Sequence, residues 1–203
     1  MNVHSKSKVV FAILLCASLL SIGCTAQWIS VALADLPVLT QMALNIGTLV
    51  TTLQSGQQLS SADAATIQNI ASQASQDLNL LRTLYNEYEA NPSASAIQKI
   101  DAAITDINQN LPALLQAAHI ADPVLSTRVT AAVNLILTTV SSFAQLIPPT
   151  PGAPTAQKVA VTAAQHKVSI PHADDLKKQW NQQVCAPTGR VAVDRALSAC
   201  SVK

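Results

Sequence analysis

Residues 97–118 read IQKIDAAITDINQNLPALLQAA. Ile97, Ile100, Ile104, Ile107, Leu111, Leu114 and Ala118 follow one another in steps of three and four without a miss. Residues at that spacing share one face of a helix, so the stretch predicts an amphipathic helix with one apolar stripe. Ser93 or Ser95 can cap its start. Pro112 lies inside the pattern and removes a backbone donor, which predicts a kink or break near Asn110.

The same grammar extends in both directions. Upstream, Ile67, Ile70, Ala74, Leu78, Leu81, Leu84 and Tyr88 keep the stripe, with Leu78 taking the place that strict spacing would give to Asp77. Ser60 or Ser61 can cap this segment and Asn91-Pro92 ends it. Further upstream, Leu39, Met42, Ile46, Leu49 and Leu53 form a stripe for which Asp35 before Pro37 predicts the start and Gly56 the stop. Downstream, Asp122-Pro123 reads as an N-cap with proline in the first turn. Val129, Val133, Ile136, Val140, Phe143 and Ile147 then carry the stripe to Pro148-Pro149.

Four such segments joined by short polar connections predict an all-α fold, an up-down four-helix bundle. Steps averaging about 3.5 residues suit helices that pack with a coiled-coil-like left-handed twist. No run alternates with period two, so no strand is expected. Pro148 to Pro154 reads as an extended linker, and residues 155–171 as a loosely ordered continuation. Two short helices are expected beyond it. Asp174 to Val184 carries Leu176, Trp180 and Val184 on one face, and Gly189 to Cys200 forms the second. Trp180 is the largest apolar group of this tail and reads as a docking anchor.

The N-terminus has a different layout. Lys6 and Lys8 precede a charge-free, mostly apolar run from Val9 to Ile22, closed by Gly23-Cys24. The run is short of the roughly 20 apolar residues that span a bilayer as a helix. It resembles a bacterial lipoprotein signal ending in a lipobox. The resemblance covers residues 1–24 and implies that Cys24 becomes the new N-terminus and carries acyl chains such as palmitate. Ser21 stands where that class has leucine. Two other cuts are open, after Ala26 or after Ala34, and either would export the chain without lipid. Thr25 after the cysteine resembles an outer-membrane address. The resulting division is a signal peptide at 1–23, a helical bundle at 24–147, a Pro-rich linker and loose segment at 148–171, and a short helical tail at 172–203.

Four cysteines sort by position. Cys16 leaves with the signal and Cys24 takes the lipid. Cys185 and Cys200 remain as an even pair, which in an oxidising compartment predicts a disulfide. Metal ligation by these two with His172 would need further ligands at metal spacing, and none is present.

Composition bounds the function. Aromatics are 3% of the chain, so alanine and branched aliphatics must fill the core. Charged residues are 11%, well below the usual quarter, so Ser, Thr, Asn and Gln cover the outer faces. A nearly balanced charge gives no support to nucleic-acid binding. The charge is unevenly placed: residues 24–157 sum to −5 and residues 158–203 to +4, which suits a basic tail docking on an acidic body, or meeting anionic lipid or cell-wall polymer. Val129 to Ile147 is apolar enough to suggest a membrane span, but Asn134, Thr138, Ser141 and Gln145 make a polar stripe at helical spacing. That stripe suits an amphipathic bundle helix.

No catalytic constellation is recognisable. His119, His166 and His172 lack partners at ligand spacing. Glu87 and Glu89 lack the Glu-x-x-His companions of a bundle metal site. No Gly-x-Ser-x-Gly turn and no glycine-rich phosphate loop occur. Tyr85 and Tyr88 near Arg82, Glu87 and Glu89 read as part core and part solvated face. The expectation is a non-enzymatic, cofactor-free envelope protein, lipid-anchored through Cys24, with a structural or protein-interaction role or self-association. The alternatives are a periplasmic bundle holding a small apolar ligand, or a membrane-active helical protein.

Overall fold

The structure, a computed structural model, describes residues 29–54, 59–147 and 172–202. Cys16, Cys24, Gly56, His166 and the expected linker at 148–171 lie outside the described residues. Six helices are present among the described residues: α1 (Ile29–Gln54), α2 (Ser61–Ala90), α3 (Ala94–Ala117), α4 (Pro123–Ala144), α5 (Ala173–Gln183) and α6 (Val191–Ala199). No strand occurs among these residues. The fold is all-helical, as the periodicity predicts.

Helix starts are set by side chains that accept otherwise unpaired N–H groups. Ser60 Oγ accepts Asp63 N–H at 3.1 Å to open α2, and Ser93 Oγ accepts Ala96 N–H at 3.1 Å to open α3. Asp122 opens α4, accepting N–H from Val124 at 2.9 Å and Leu125 at 3.2 Å, with Pro123 in the first turn. α2 ends at Ala90, where Asn91-Pro92 begins the turn to α3.

Of two proline-based expectations, the start of α1 needs correction, and at Pro112 the break is absent. α1 does not start at Asp35–Pro37; it is helical from Ile29. Ile29, Ala32 and Leu36 are buried in the main core, and the apolar burial they provide outweighs the backbone bond lost at Pro37. α3 likewise runs without a break through Pro112 to Ala117, held by buried Leu111 before it and half-buried Leu114 and Leu115 after it.

The core follows the stripes. Along α2 the buried positions include Ala64, Ile67, Ile70, Ala74, Leu78, Leu81, Tyr85 and Tyr88; along α4 they include Val129, Val133, Ile136, Val140 and Phe143. α2 packs on α3, α3 on α4, and α4 on α5. Tyr85 of α2 meets Phe143 of α4 edge to face, ring centroids 6.3 Å apart at 80°. Ser141 Oγ on α4 donates to Asn108 Oδ1 on α3 at 3.1 Å. α1 comes against α2 where an added Cβ at Gly47 would lie 4.0 Å from Ala71 Cβ. A smaller cluster joins Leu49 and Leu53 of α1, Leu125 of α4, and Val193, Ala196 and Leu197 of α6.

Candidate functional site at the seat of the C-terminal tail

The residues singled out in the tail converge on one place. Leu176, Trp180 and Val184, one face of α5, are buried in the main core together with residues of α1 to α4. Trp180 is 0% exposed, and its indole Nε1–H donates to Cys200 O at 2.9 Å. A buried indole needs such a partner, because its N–H cannot be left dry. The Cys185 and Cys200 sulfurs lie at disulfide distance, with Cα atoms 6.3 Å apart. Cys200 is fully buried, and its carbonyl also accepts Asn45 Nδ2–H from α1 at 3.0 Å.

Polar pins surround this apolar seat. Arg128 on α4 donates from Nη1 to Gln183 O at 2.6 Å and from Nη2 to Ala186 O at 3.0 Å, closing the last turn of α5. A guanidinium at a helix C-terminus meets carbonyls that lack intrahelical partners. Arg190 Nη1 pairs with Asp122 Oδ2 at 2.6 Å, tying the start of α6 to the start of α4. Burial works to raise the Asp122 carboxyl, but the Arg190 hydrogen bond and the two capping N–H groups outweigh it and hold it below its ordinary value. Asn181 bonds Val202 in both directions, accepting its N–H and donating to its carbonyl, each at 2.9 Å.

The turn between α5 and α6 is organised by Asp194. Its Oδ1 accepts Thr188 N–H at 2.6 Å and the Thr188 hydroxyl at 2.7 Å, and its Oδ2 accepts Gly189 N–H at 3.1 Å. These bonds hold its carboxyl below the ordinary range. Gly189 sits at φ 83°, where a side chain would strain the backbone.

A groove of about 490 Å³ runs between α4 and α5, lined by Thr138, Thr139, Ser142, Asp175, Lys178 and Gln182 among others. Two of its hydroxyls are occupied within α4: Thr139 Oγ1 donates to Leu135 O at 2.8 Å and Ser142 Oγ to Thr138 O at 2.9 Å. These groups give the groove hydrogen-bonding capacity but no nucleophile paired with a base.

The remaining candidates are dispersed. His119 is exposed two residues past α3, and His172 is exposed at the N-cap of α5. Tyr85 and Tyr88 are buried, while Arg82, Glu87 and Glu89 are exposed, so they do not line a common cleft. Burial pushes the Tyr85 hydroxyl far above its ordinary value, with the Asp101 carboxylate adding to the shift. No group of three or more His, Cys, Asp or Glu suited to a metal occurs among the described residues. α1 and α4 are long and apolar enough to cross a membrane by length and composition, with 44% of each apolar window buried in the fold. On α4, Asn134, Thr138 and Gln145 of the predicted polar stripe are exposed and Ser141 half-buried.

Sequence reasoning missed Asp35 and Arg128. The signal for both was isolation: each is the lone ionisable group of a long helix. Comparison with family models, with curated proteins and with solved structures gave no match.

Proposed function

We propose that this chain is an exported, lipid-anchored protein of the bacterial envelope with a structural or protein-interaction role. In this reading α1–α4 form an up-down four-helix bundle and a Cys185–Cys200 disulfide staples the tail. The observation that carries it is the Cys185–Cys200 pair at disulfide distance. Such pairs persist as bonds in oxidising compartments outside the cytosol. The pair is independent of the N-terminal signal and points the same way.

Two further observations support this reading. A cut after Ala34 would remove Ile29 and Ala32, both core residues of α1, which speaks for a cut further upstream. The outer face of α1 offers Gln41, Leu44, Thr48 and Thr51, exposed and uncharged, to a partner or a second copy. The test is the intact mass of the protein isolated from membranes, before and after reduction. The expected result is a chain beginning at Cys24 with acyl chains, gaining two hydrogens on reduction. A chain beginning at Gln27 without lipid removes the anchor, and no gain on reduction removes the staple.

The length and apolarity of α1 and α4 favour a second reading, a protein that inserts helices into membranes. It predicts dye leakage from vesicles by a form lacking the anchor, and intact vesicles would exclude it.

A further inference from the structure

Asp35 is 2% exposed and is the one ionisable residue of α1. Its carboxylate lies near enough to the backbone N–H of Ala173, the first residue of α5, for that group to favour its ionised form. Its Oδ2 is buried and has no hydrogen-bond partner. An ionised carboxylate with one dry, unpaired oxygen is costly, and what that oxygen can take without any rearrangement is a proton.

The charged surroundings are sparse. On α5, His172 at the N-cap acts on the carboxylate and favours its ionised form. Asp174 and Asp175 are exposed, and Lys177 pairs with Asp174 at 3.5 Å. On α4 the one ionisable side chain, Arg128, bonds Gln183 and Ala186 at the other end of α5. At the C-terminal end of α2, Arg82, Glu87 and Glu89 are exposed, and Glu87 faces Lys99 of α3 at 3.9 Å.

We propose that Asp35 is a proton-operated clasp on the C-terminal tail: protonated, it holds the start of α5 tightly against α1, and ionised, it loosens that contact. Burial pushes its carboxyl from the ordinary 3.8 up to about 6, against the opposing pull of His172 and the Ala173 N–H. When α5 lifts off, the carboxyl returns to water and to its ordinary value. The closed state therefore binds the proton more tightly than the open one. Closure is strongest below the ordinary value and is lost as pH rises through about 6. Between pH 7.5 and pH 5 the closing equilibrium tightens about tenfold. The device sits at the junction of body and tail and does not depend on the lipid anchor.

The test is backbone hydrogen exchange over Leu176–Trp180 in the full mature chain at pH 5 and pH 7.5, corrected for intrinsic exchange. The wild type is expected to gain about tenfold protection at pH 5. Asp35→Asn, nearly isosteric, is expected to be protected at both pH values with that difference gone. His172→Gln is expected to keep it. Equal or weaker protection of the wild type at pH 5 overturns the clasp. So does a tenfold gain that survives in Asp35→Asn or vanishes in His172→Gln. Direct titration of the Asp35 carboxyl by NMR stands without any variant: a midpoint near 6 supports the clasp and one near 4 overturns it.

Discussion

The body and the tail of this molecule are held by different means. α2, α3 and α4 run for 30, 24 and 22 residues, and each carries a stripe of buried Leu, Ile, Val or Ala along its length. α5 and α6 run for 11 and 9 residues and bury two and three side chains. Helices shorter than about 12–15 residues are marginal alone in water. The long helices are accordingly specified by periodicity repeated over many turns, with few side-chain bonds between them. The short ones depend on individual fixings: the Trp180 indole, the guanidiniums of Arg128 and Arg190, and the amides of Asn45 and Asn181. Repetition tolerates the loss of a member, whereas a single fixing does not.

The sharpest way to break this contrast is to set the loss of the tail's one indole against the loss of a single methylene from a stripe of the body. Trp180→Ala should cost about 3–5 kcal/mol in urea unfolding, as full truncation of a buried aromatic does. It should also release Cys200 O from the indole. Ile104→Val in α3, one methylene shorter, should cost about 0.5–1.5 kcal/mol. A Trp180→Ala loss no larger than that of Ile104→Val would mean that the tail is only laid against the body.

Next in size is the cysteine pair. With the bond proposed above, Cys185→Ser together with Cys200→Ser should cost about 3 kcal/mol for a 15-residue loop. Reduced and oxidised wild-type protein with equal urea midpoints would remove the staple from the comparison. Arg128→Met, which keeps much of the stem but loses two charge-assisted bonds to carbonyls, should cost about 1–3 kcal/mol. Its signature is faster exchange at the end of α5 with little change in α3.

The cap at Asp122 serves both regions. Asp122→Ala should cost about 1–2 kcal/mol at neutral pH, combining a lost N-cap with a lost partner for Arg190. Its carboxyl is lowered in the folded state, so its contribution is present above pH 4 and fades as pH falls through the lowered value. The wild type and Asp122→Ala should therefore converge in acid, and a constant difference from pH 7 to pH 2 would contradict this. The smallest effect is expected at the surface. Leu44→Ser and Leu80→Ser, at side chains 50% and 53% exposed, should move stability by less than about 0.5 kcal/mol. Light scattering on the same variants asks whether either face carries association.

The contrast also explains what was readable in the chain. The stripes of α2, α3 and α4 were legible because each repeats a local rule many times. Ser60, Ser93 and Asp122 were legible as caps because their side chains act within three residues of their own position. The start of α1 was misread because Asp35-Leu36-Pro37 has the local form of a helix beginning. The packing of Ile29 and Ala32, which overrides it, depends on partners far along the chain. The break expected at Pro112 is absent for the same reason. At the tail, the bulk of Trp180 marked it as an anchor, and that much needs no structure. The bonds from Arg128 to Gln183 and Ala186 span 55 and 58 positions and leave no local pattern. Asp35 was visible as an isolated charge, but its role depends on where α5 begins to pack.

The bond from Asn45 to Cys200 joins positions 155 apart in the chain. Contacts of such separation cost the most chain entropy to close and tend to form late. The packing of α2 on α3 and of α3 on α4 needs only neighbours in the chain and can form while the rest of the chain is still being delivered. The face of α1 bearing Leu49 and Leu53 has to wait for Val193, Ala196 and Leu197, which are made long after it. Until then it stays uncovered, so the order of synthesis makes this seam a late step of folding, with an apolar strip open to solvent before it closes.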